Sequence, residues 1–338
     1  MTQDGDDLTT AQRDWWRQCG AATAAMLLPV LGCLAYAGGL PKLPDYVREA
    51  MQAALVVLAA LVLGAVPAAR LLPAQPLWFL LGAMACGYAV LSLAGLLLGV
   101  AGLLYVPILL ALPAAVAVAG LRRWRWFVQR LTPEALALAA DERLLLVLFA
   151  LLALLNLAAA FSPVIFYDAL VYHLNIPAEY LRAHRILLLP HNLHSNLPLG
   201  MSMLYLFTLP VPSGVPAQLL NCLFSLLAAG AAYVLARQWC ERRRALLAML
   251  LFQTLPVNAL FATLLQADIG CAFYGLLALA CLVQYRRTGG KALPLLAGVF
   301  AGVTLTYKYQ SVLIVAVLTA FLLVPERLLR DRRAAVWS

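Results

Sequence analysis

Apolar runs of about twenty residues, separated by short polar connections, dominate the chain from residue 21 to residue 324. Read by length, they predict spans at about 21–40, 51–69, 77–97, 102–120 and 143–162. A second set follows at about 216–236, 245–264, 268–285, 292–307 and 309–324. A run of that length crosses a hydrocarbon core of roughly 30 Å as a helix. The expected fold is therefore all-α, a polytopic membrane protein of about ten transmembrane helices. One long connection, 164–215, breaks the pattern. Residues 199–212 inside it are apolar, but the stretch is short and bounded by prolines, which reads as re-entrant or interfacial, not spanning. This large loop is expected to carry two short juxtamembrane helices, at 169–184 and 199–209. The link between them is expected to be irregular, with Pro190 and Pro198 as breakers.

Composition agrees. Of the 338 residues, 64% are hydrophobic and 12% charged, whereas soluble domains carry about 25% charged residues. The net charge of +9 is spread in short basic clusters between spans, which is the positive-inside pattern and not a nucleic-acid-binding face. RRWRWFVQR (122–130), basic with interleaved tryptophans, reads as a cytoplasmic juxtamembrane segment. With the N-terminus inside, 19 of the 24 basic residues fall on the cytoplasmic side. The outer side keeps only Lys42, Arg48, Arg182, Arg185 and Lys308. If 199–212 crossed the bilayer, every later basic cluster would move outside, so the count argues against it. The N-terminus is therefore expected to be cytoplasmic, and 164–215 to face outward, to the periplasm or its equivalent.

Within this frame, Trp15 and Trp16 read as an interfacial anchor. Ala35-Tyr36-Ala37 fits a small-residue cleavage site, but the acid-rich leader and late apolar run favour a retained first span. The seven cysteines lie in or beside apolar spans with no CxxC, which supports neither a disulfide framework nor a cysteine metal site. Residues 1–142 read as an N-terminal tail with a four-span bundle, and 143–338 as the core.

The candidate chemistry gathers at 161–205, FSPVIFYDALVYHLNIPAEYLRAHRILLLPHNLHSNLPLGMSMLY. It holds all four histidines (His173, His184, His191 and His194) together with Asp168, Glu179, Arg182, Arg185 and Asn196. A membrane protein has no solubility reason to collect its titratable groups in one connection. Asp168 lies where the fifth span emerges, either capping the interfacial helix or acting as a tunable carboxylate. Asp268 returns to the same side at the junction of two later spans, again as a cap or a functional acid. Lys308, between Tyr307 and Tyr309, departs from the positive-inside pattern. It reads as a snorkelling lysine or as part of an anion site with Arg182, His184 and Arg185. His191 and His194, with Asp168 or Glu179, offer ligands suited to zinc, so a divalent metal is left open as a cofactor. The pair is not at helical i,i+4 spacing and sits among prolines and asparagines, which favours substrate contacts or structural hydrogen bonds. No GxSxG, Walker or GxGxxG pattern occurs, so serine hydrolysis and nucleotide binding lack support.

Tyr167-Asp168-Ala169-Leu170-Val171-Tyr172-His173-Leu174, Pro177-Ala178-Glu179-Tyr180-Leu181 and His194-Ser195-Asn196-Leu197-Pro198-Leu199-Gly200-Met201 resemble the first outer loop of bacterial GT-C fold glycosyltransferases. That superfamily includes protein O-mannosyltransferases and lipid A aminoarabinose transferases. Gln266-Ala267-Asp268 resembles its second outer acid, and Leu305-Thr306-Tyr307-Lys308-Tyr309 its basic residue at the outer end of a later helix. The resemblance spans about 143–324 and is most specific over 167–201. It implies inverting transfer of a sugar from a polyprenyl-phosphate donor to a glycan, lipid or protein acceptor in the cell envelope. It assigns Asp168 as general base and Asp268 as the residue that positions substrate or stabilises charge. Lys308, with Arg182 or Arg185, would hold the donor phosphate, and His173, His184, His191, His194 and Asn196 would line the substrate site. It also implies more core spans than the six read here, so either a C-terminally shortened or degenerate member, or one whose site a partner completes, is expected.

Two rival readings are a lipid-linked-oligosaccharide flippase and a non-catalytic fragment of a glycosyltransferase assembly. A flippase calls for polar groups through the middle of its spans, where the clearest are only Asn156, Asn221 and Asn258.

Overall fold

The computed structural model describes residues 42–132 and 138–324. The expected first span, the Trp15-Trp16 anchor, the Ala35–Ala37 site and the basic tail lie outside the described residues. Every ordered element described is helical. In chain order they are α1 Leu43–Leu71, α2 Pro76–Val100, α3 Val106–Leu121, α4 Trp124–Leu131, α5 Ala140–Ala160, α6 Asn175–Arg182 and α7 Gly200–Tyr205. They continue as α8 Val215–Ala236, α9 Arg242–Thr254, α10 Pro256–Thr263, α11 Ala267–Thr288, α12 Ala292–Tyr307 and α13 Val312–Leu323. All nine ranges expected to span among the described residues are helical. Five of them, α1, α2, α5, α8 and α11, are long and apolar enough to cross a membrane, or seven spans if each of two bent pairs counts as one, fewer than the nine read from the sequence over the described residues.

The bends have local causes. The stretch read as one span at 245–264 breaks by 64° between α9 and α10. Pro256 opens α10, where it lacks an amide hydrogen and crowds the preceding turn. The backbone groups freed there must find partners, because lipid offers none. The same need arises at the far end of α10, where Asn221 on α8 donates to the carbonyls of Phe261 and Leu264. One turn further along α8, buried Ser225 donates to Gln253 and Asn258 across the break. Asn258, which also donates to Gln253, and Ser225 therefore tie the two halves of the broken helix together, while Asn221 caps its far end. At the other bent pair the chain turns by 79° from α3 into α4, so the tryptophan-rich basic segment forms a short helix across the end of the bundle.

Small residues set the closest approaches. Gly64 on α1 and Gly87 on α2 face each other so tightly that a Cβ on Gly87 would overlap the Ala60 carbonyl. Such backbone proximity is how helices associate in lipid, where apolar surface alone supplies no drive. The hairpin α1–α2 then joins the core through Tyr274, whose hydroxyl donates to the Ala85 carbonyl at 2.7 Å. A buried aromatic cluster of Tyr88, Phe224, Phe273, Tyr274, Phe300 and Tyr307 fills the centre.

The alternating helices separate the two ends of the molecule. Glu142 at the start of α5 pairs with Arg242 at the start of α9, at 2.5 Å. Arg286, near the end of α11, donates to the Val324 carbonyl just beyond α13. Arg70, Arg122, Arg123, Arg130, Arg237 and Lys291 lie at helix ends on this same side by their place in the up-and-down order. The opposite end holds the start of α1, the 161–214 connection, the start of α11 and the end of α12, and with them Asp168, Asp268 and Lys308.

Candidate functional site

The connection folds much as its residues suggest. A π turn at Ala169–His173 leads into α6, and a 3-10 turn at Leu193–Asn196 precedes α7, which continues as a 3-10 turn at Leu206–Thr208. Single π turns recur at functional sites because the wider spiral redirects side chains. Here the turn begins directly after Asp168 and contains Tyr172 and His173. Asp168 does not cap it: its side chain makes no capping bond. Its Oδ2 instead accepts from Gln266 Nε2 at 2.7 Å. Gln266 is buried and directly precedes α11.

Asp268 and Lys308 meet because α11 and α12 form an antiparallel hairpin, closed by Gly289 in the left-handed region at φ 71°. Asp268 lies in the first turn of α11, where the helix dipole favours an anion. Lys308 follows the last residue of α12, where the dipole favours a cation. Lys308 Nζ reaches Asp268 Oδ2 at 2.6 Å, with about a third of each side chain open to solvent (30% and 37%). Gly200, at the start of α7, touches Thr306 so closely that any side chain there would collide with it. Ser92 on α2 donates to the Gly200 carbonyl. This seats the loop against the end of α12, and Tyr309 fastens it further by donating to the Asn196 carbonyl at 2.8 Å.

His173 lies among these groups, feeling the charges of Asp168, Lys308 and Asp268 and of neighbouring His194. Its Nδ1 is 3.1 Å from Ser202 Oγ, while its buried Nε2 has no partner. Burial pushes its pKa down to about 4, against the opposing pull of Asp168 and Asp268. At neutral pH it is an uncharged imidazole, so it can assist phosphate binding only as a hydrogen-bond partner. Tyr172 faces Asp168, and its hydroxyl pKa is raised by burial first and that carboxylate second. Its ring stacks on His194 with centroids 4.8 Å apart and planes within 4°. The pair makes a flat aromatic wall beside the carboxylates.

The lowered pKa of His173 has a measurable result. The unfolded chain takes up a proton below about pH 6.5, while the folded imidazole resists it until about pH 4. Stability is full above pH 6.5 and falls as the pH drops toward 4, by about 2 kcal/mol at pH 5. Thermal unfolding of purified wild type and His173→Gln at pH 7.5 and pH 5 should show a larger fall for wild type. Equal falls would mean that His173 takes up its proton in the folded state.

The remaining expected site residues lie apart. His184 adopts a positive φ of 59° and binds the Leu104 carbonyl through Nδ1 at 2.9 Å, with its ring stacked on Tyr105. Together with the Ile186 amide, which donates to Gly99 at 2.9 Å, it staples the loop to the α2–α3 turn. His191 pairs with Glu179 at 3.3 Å. Arg182 and Arg185 are exposed, and neither forms an ion pair with a described carboxylate. Among the described residues no group of three or more histidine, cysteine, aspartate or glutamate side chains is arranged to hold a metal ion. Three residues with no role assigned from the sequence join the site: Tyr172, Gln266 and Ser202. Gln266 could have been singled out by its place two residues before Asp268, the others only by contact.

Residues 200–337 match the family model described as dolichyl-phosphate-mannose-protein mannosyltransferase. The matched range contains Asp268 and Lys308 and begins after Asp168. Searches of curated proteins and of solved structures give no match. The family match supports the GT-C superfamily, and with it a membrane glycosyltransferase.

Proposed function

We propose that this protein moves a sugar from a polyprenyl-phosphate donor to a glycan, lipid or protein acceptor, with inversion at the anomeric carbon. The observation that carries the reading is the meeting of Asp168, held by Gln266, with the Asp268–Lys308 pair at one end of the bundle. In this reading Asp168 is the general base that takes the acceptor hydroxyl proton as oxygen attacks the anomeric carbon. The sugar–phosphate bond breaks with its electron pair leaving on phosphate. Lys308 neutralises that charge and Asp268 fixes where the ammonium sits. The stacked Tyr172 and His194 rings offer a face for a sugar, and Asn196 and His173 offer neutral hydrogen-bonding groups. The exposed Arg182 and Arg185 are approach charges for the donor, not first contacts of its phosphate. The end bearing the site faces the periplasm of a bacterial inner membrane, and the N-terminus is cytoplasmic, since the basic helix ends gather on the opposite side. Residues 143–338 form the catalytic core, and the preceding helices buttress it.

The test is transfer of radiolabelled sugar from a panel of polyprenyl-phosphate monosaccharides in membranes containing the protein, beside membranes lacking it. Label in lipid or protein acceptors only with the protein present is the expected result. No transfer from any donor by folded, inserted protein would overturn the reading.

A further inference from the structure

The basic tryptophan segment 122–130 takes no part in the chemistry above, yet it walls two hollows at the end of the bundle. α4 turns back under the end of α3 and is pinned to α2 by Trp126 and Phe127, which pack on Phe79 at 5.7 and 6.5 Å. Between α4 and the ends of α1 and α3 lie two adjoining cavities of about 320 and 440 Å³. They share Val66, Arg123 and Trp126 in their walls, so they form one slot. Its inner part is apolar, lined by Val62, Ala65 and Phe127. Its outer part carries Arg70, Arg123 and Arg130, and Arg122 stands beside Arg123 on the wall of the inner part. Arg130 lies 5.6 Å over the Trp126 ring, which holds its guanidinium at the mouth. No described carboxylate pairs with any of these four arginines.

The geometry points to a binding site for the phosphate head of an anionic membrane phospholipid, at the elbow of α3 and α4 on the end opposite the Asp168 site. Three arginines, Arg70, Arg123 and Arg130, lining one hollow with no described carboxylate to pair them match a phosphate oxyanion, which arginine grips through forked hydrogen bonds. The apolar floor matches the glycerol and upper acyl carbons that follow such a phosphate, and it would stay poorly filled by a free ion. A tryptophan-bearing helix across the ends of membrane helices lies at headgroup depth, where the ligand is already concentrated. This site depends on no assumption about sugar transfer.

The test is lipid binding to the purified full-length protein in detergent, followed by native mass spectrometry during titration with phosphatidylglycerol or phosphatidylcholine of matched chains. Wild type is expected to retain phosphatidylglycerol preferentially. Arg123→Gln with Arg130→Gln should weaken that retention about tenfold or more, at about 1 kcal/mol for each surface arginine lost. Arg244→Gln with Arg287→Gln removes the same charge elsewhere on that end and should leave retention unchanged. Arg70→Gln, at an exposed helix end, gives a single mild variant should the double one fold poorly, with a smaller loss in the same direction. Equal retention of both lipids, or an equal loss from both double variants, would reduce the effect to general surface charge and overturn the site. Displacement of phosphatidylglycerol by millimolar inorganic phosphate would overturn the lipid assignment in favour of a free-ion site.

Discussion

Asp168→Asn is expected to lower the initial rate of sugar transfer by about 100- to 10,000-fold, the range that a positioned general base contributes. The change is nearly isosteric, and an asparagine carbonyl can still accept from Gln266 Nε2, now at 2.7 Å from the carboxylate. Fold and insertion should therefore survive, with thermal stability close to wild type. The loss should appear in kcat more than in KM, because a base acts on the acceptor proton in the transition state and adds little to ground-state binding. The measurement is transfer from whichever polyprenyl-phosphate sugar the donor panel identifies, in matched membranes at saturating donor. Equal rates for the two proteins would remove Asp168 from the chemistry while leaving the rest of the site in place. A rate loss accompanied by a large fall in thermal stability would point to a structural role for the carboxylate.

Lys308→Met should cost transfer about 100- to 1,000-fold, comparable to removing one preorganised donor from a developing anion. Stability should hardly move. The Lys308–Asp268 pair is about a third exposed, and such ion pairs contribute only about 0–1 kcal/mol. That contrast, large in rate and small in stability, separates a catalytic cation from a snorkelling lysine. Asp268→Asn is expected to cost less than Lys308→Met, since it loosens the ammonium without removing it. The double substitution should be no slower than Lys308→Met alone, because the aspartate acts through the lysine. If the two single effects instead add, Asp268 has a task of its own, such as holding the acceptor or stabilising charge on the sugar ring. If Lys308→Met transfers at the wild-type rate, the leaving phosphate is neutralised elsewhere, and the exposed Arg182 and Arg185 are the first to substitute.

The flippase alternative was already short of polar groups along its spans, and the fold occupies two of them. Asn221 and Asn258, two of the three mid-span polar residues a translocation path could use, are engaged inside the bundle, Asn221 at the end of α10 and Asn258 across the break at Pro256.

The alternation of apolar runs with short basic connections was enough to identify a multi-pass helical membrane protein and to place helices over each expected range among the described residues. It also placed Asp168, Asp268 and Lys308 at one end, because the end on which a junction falls depends only on counting crossings. The two short loop helices were legible too, from run length and the breakers Pro190 and Pro198. What the pattern could not carry is lateral position. Whether a junction residue faces a partner depends on how far each helix is rotated and how closely its neighbours approach, and that is set by contacts such as Gly87 on Ala60 and Gly200 on Thr306. Only the tertiary structure therefore joined Lys308 to Asp268, Gln266 to Asp168 and Ser202 to His173, and drew His184 and His191 away to Leu104 and Glu179. The alternation of runs along the chain determined that Asp168, Asp268 and Lys308 fall at one end of the bundle; packing across the chain decided which of them touch, and through which partners.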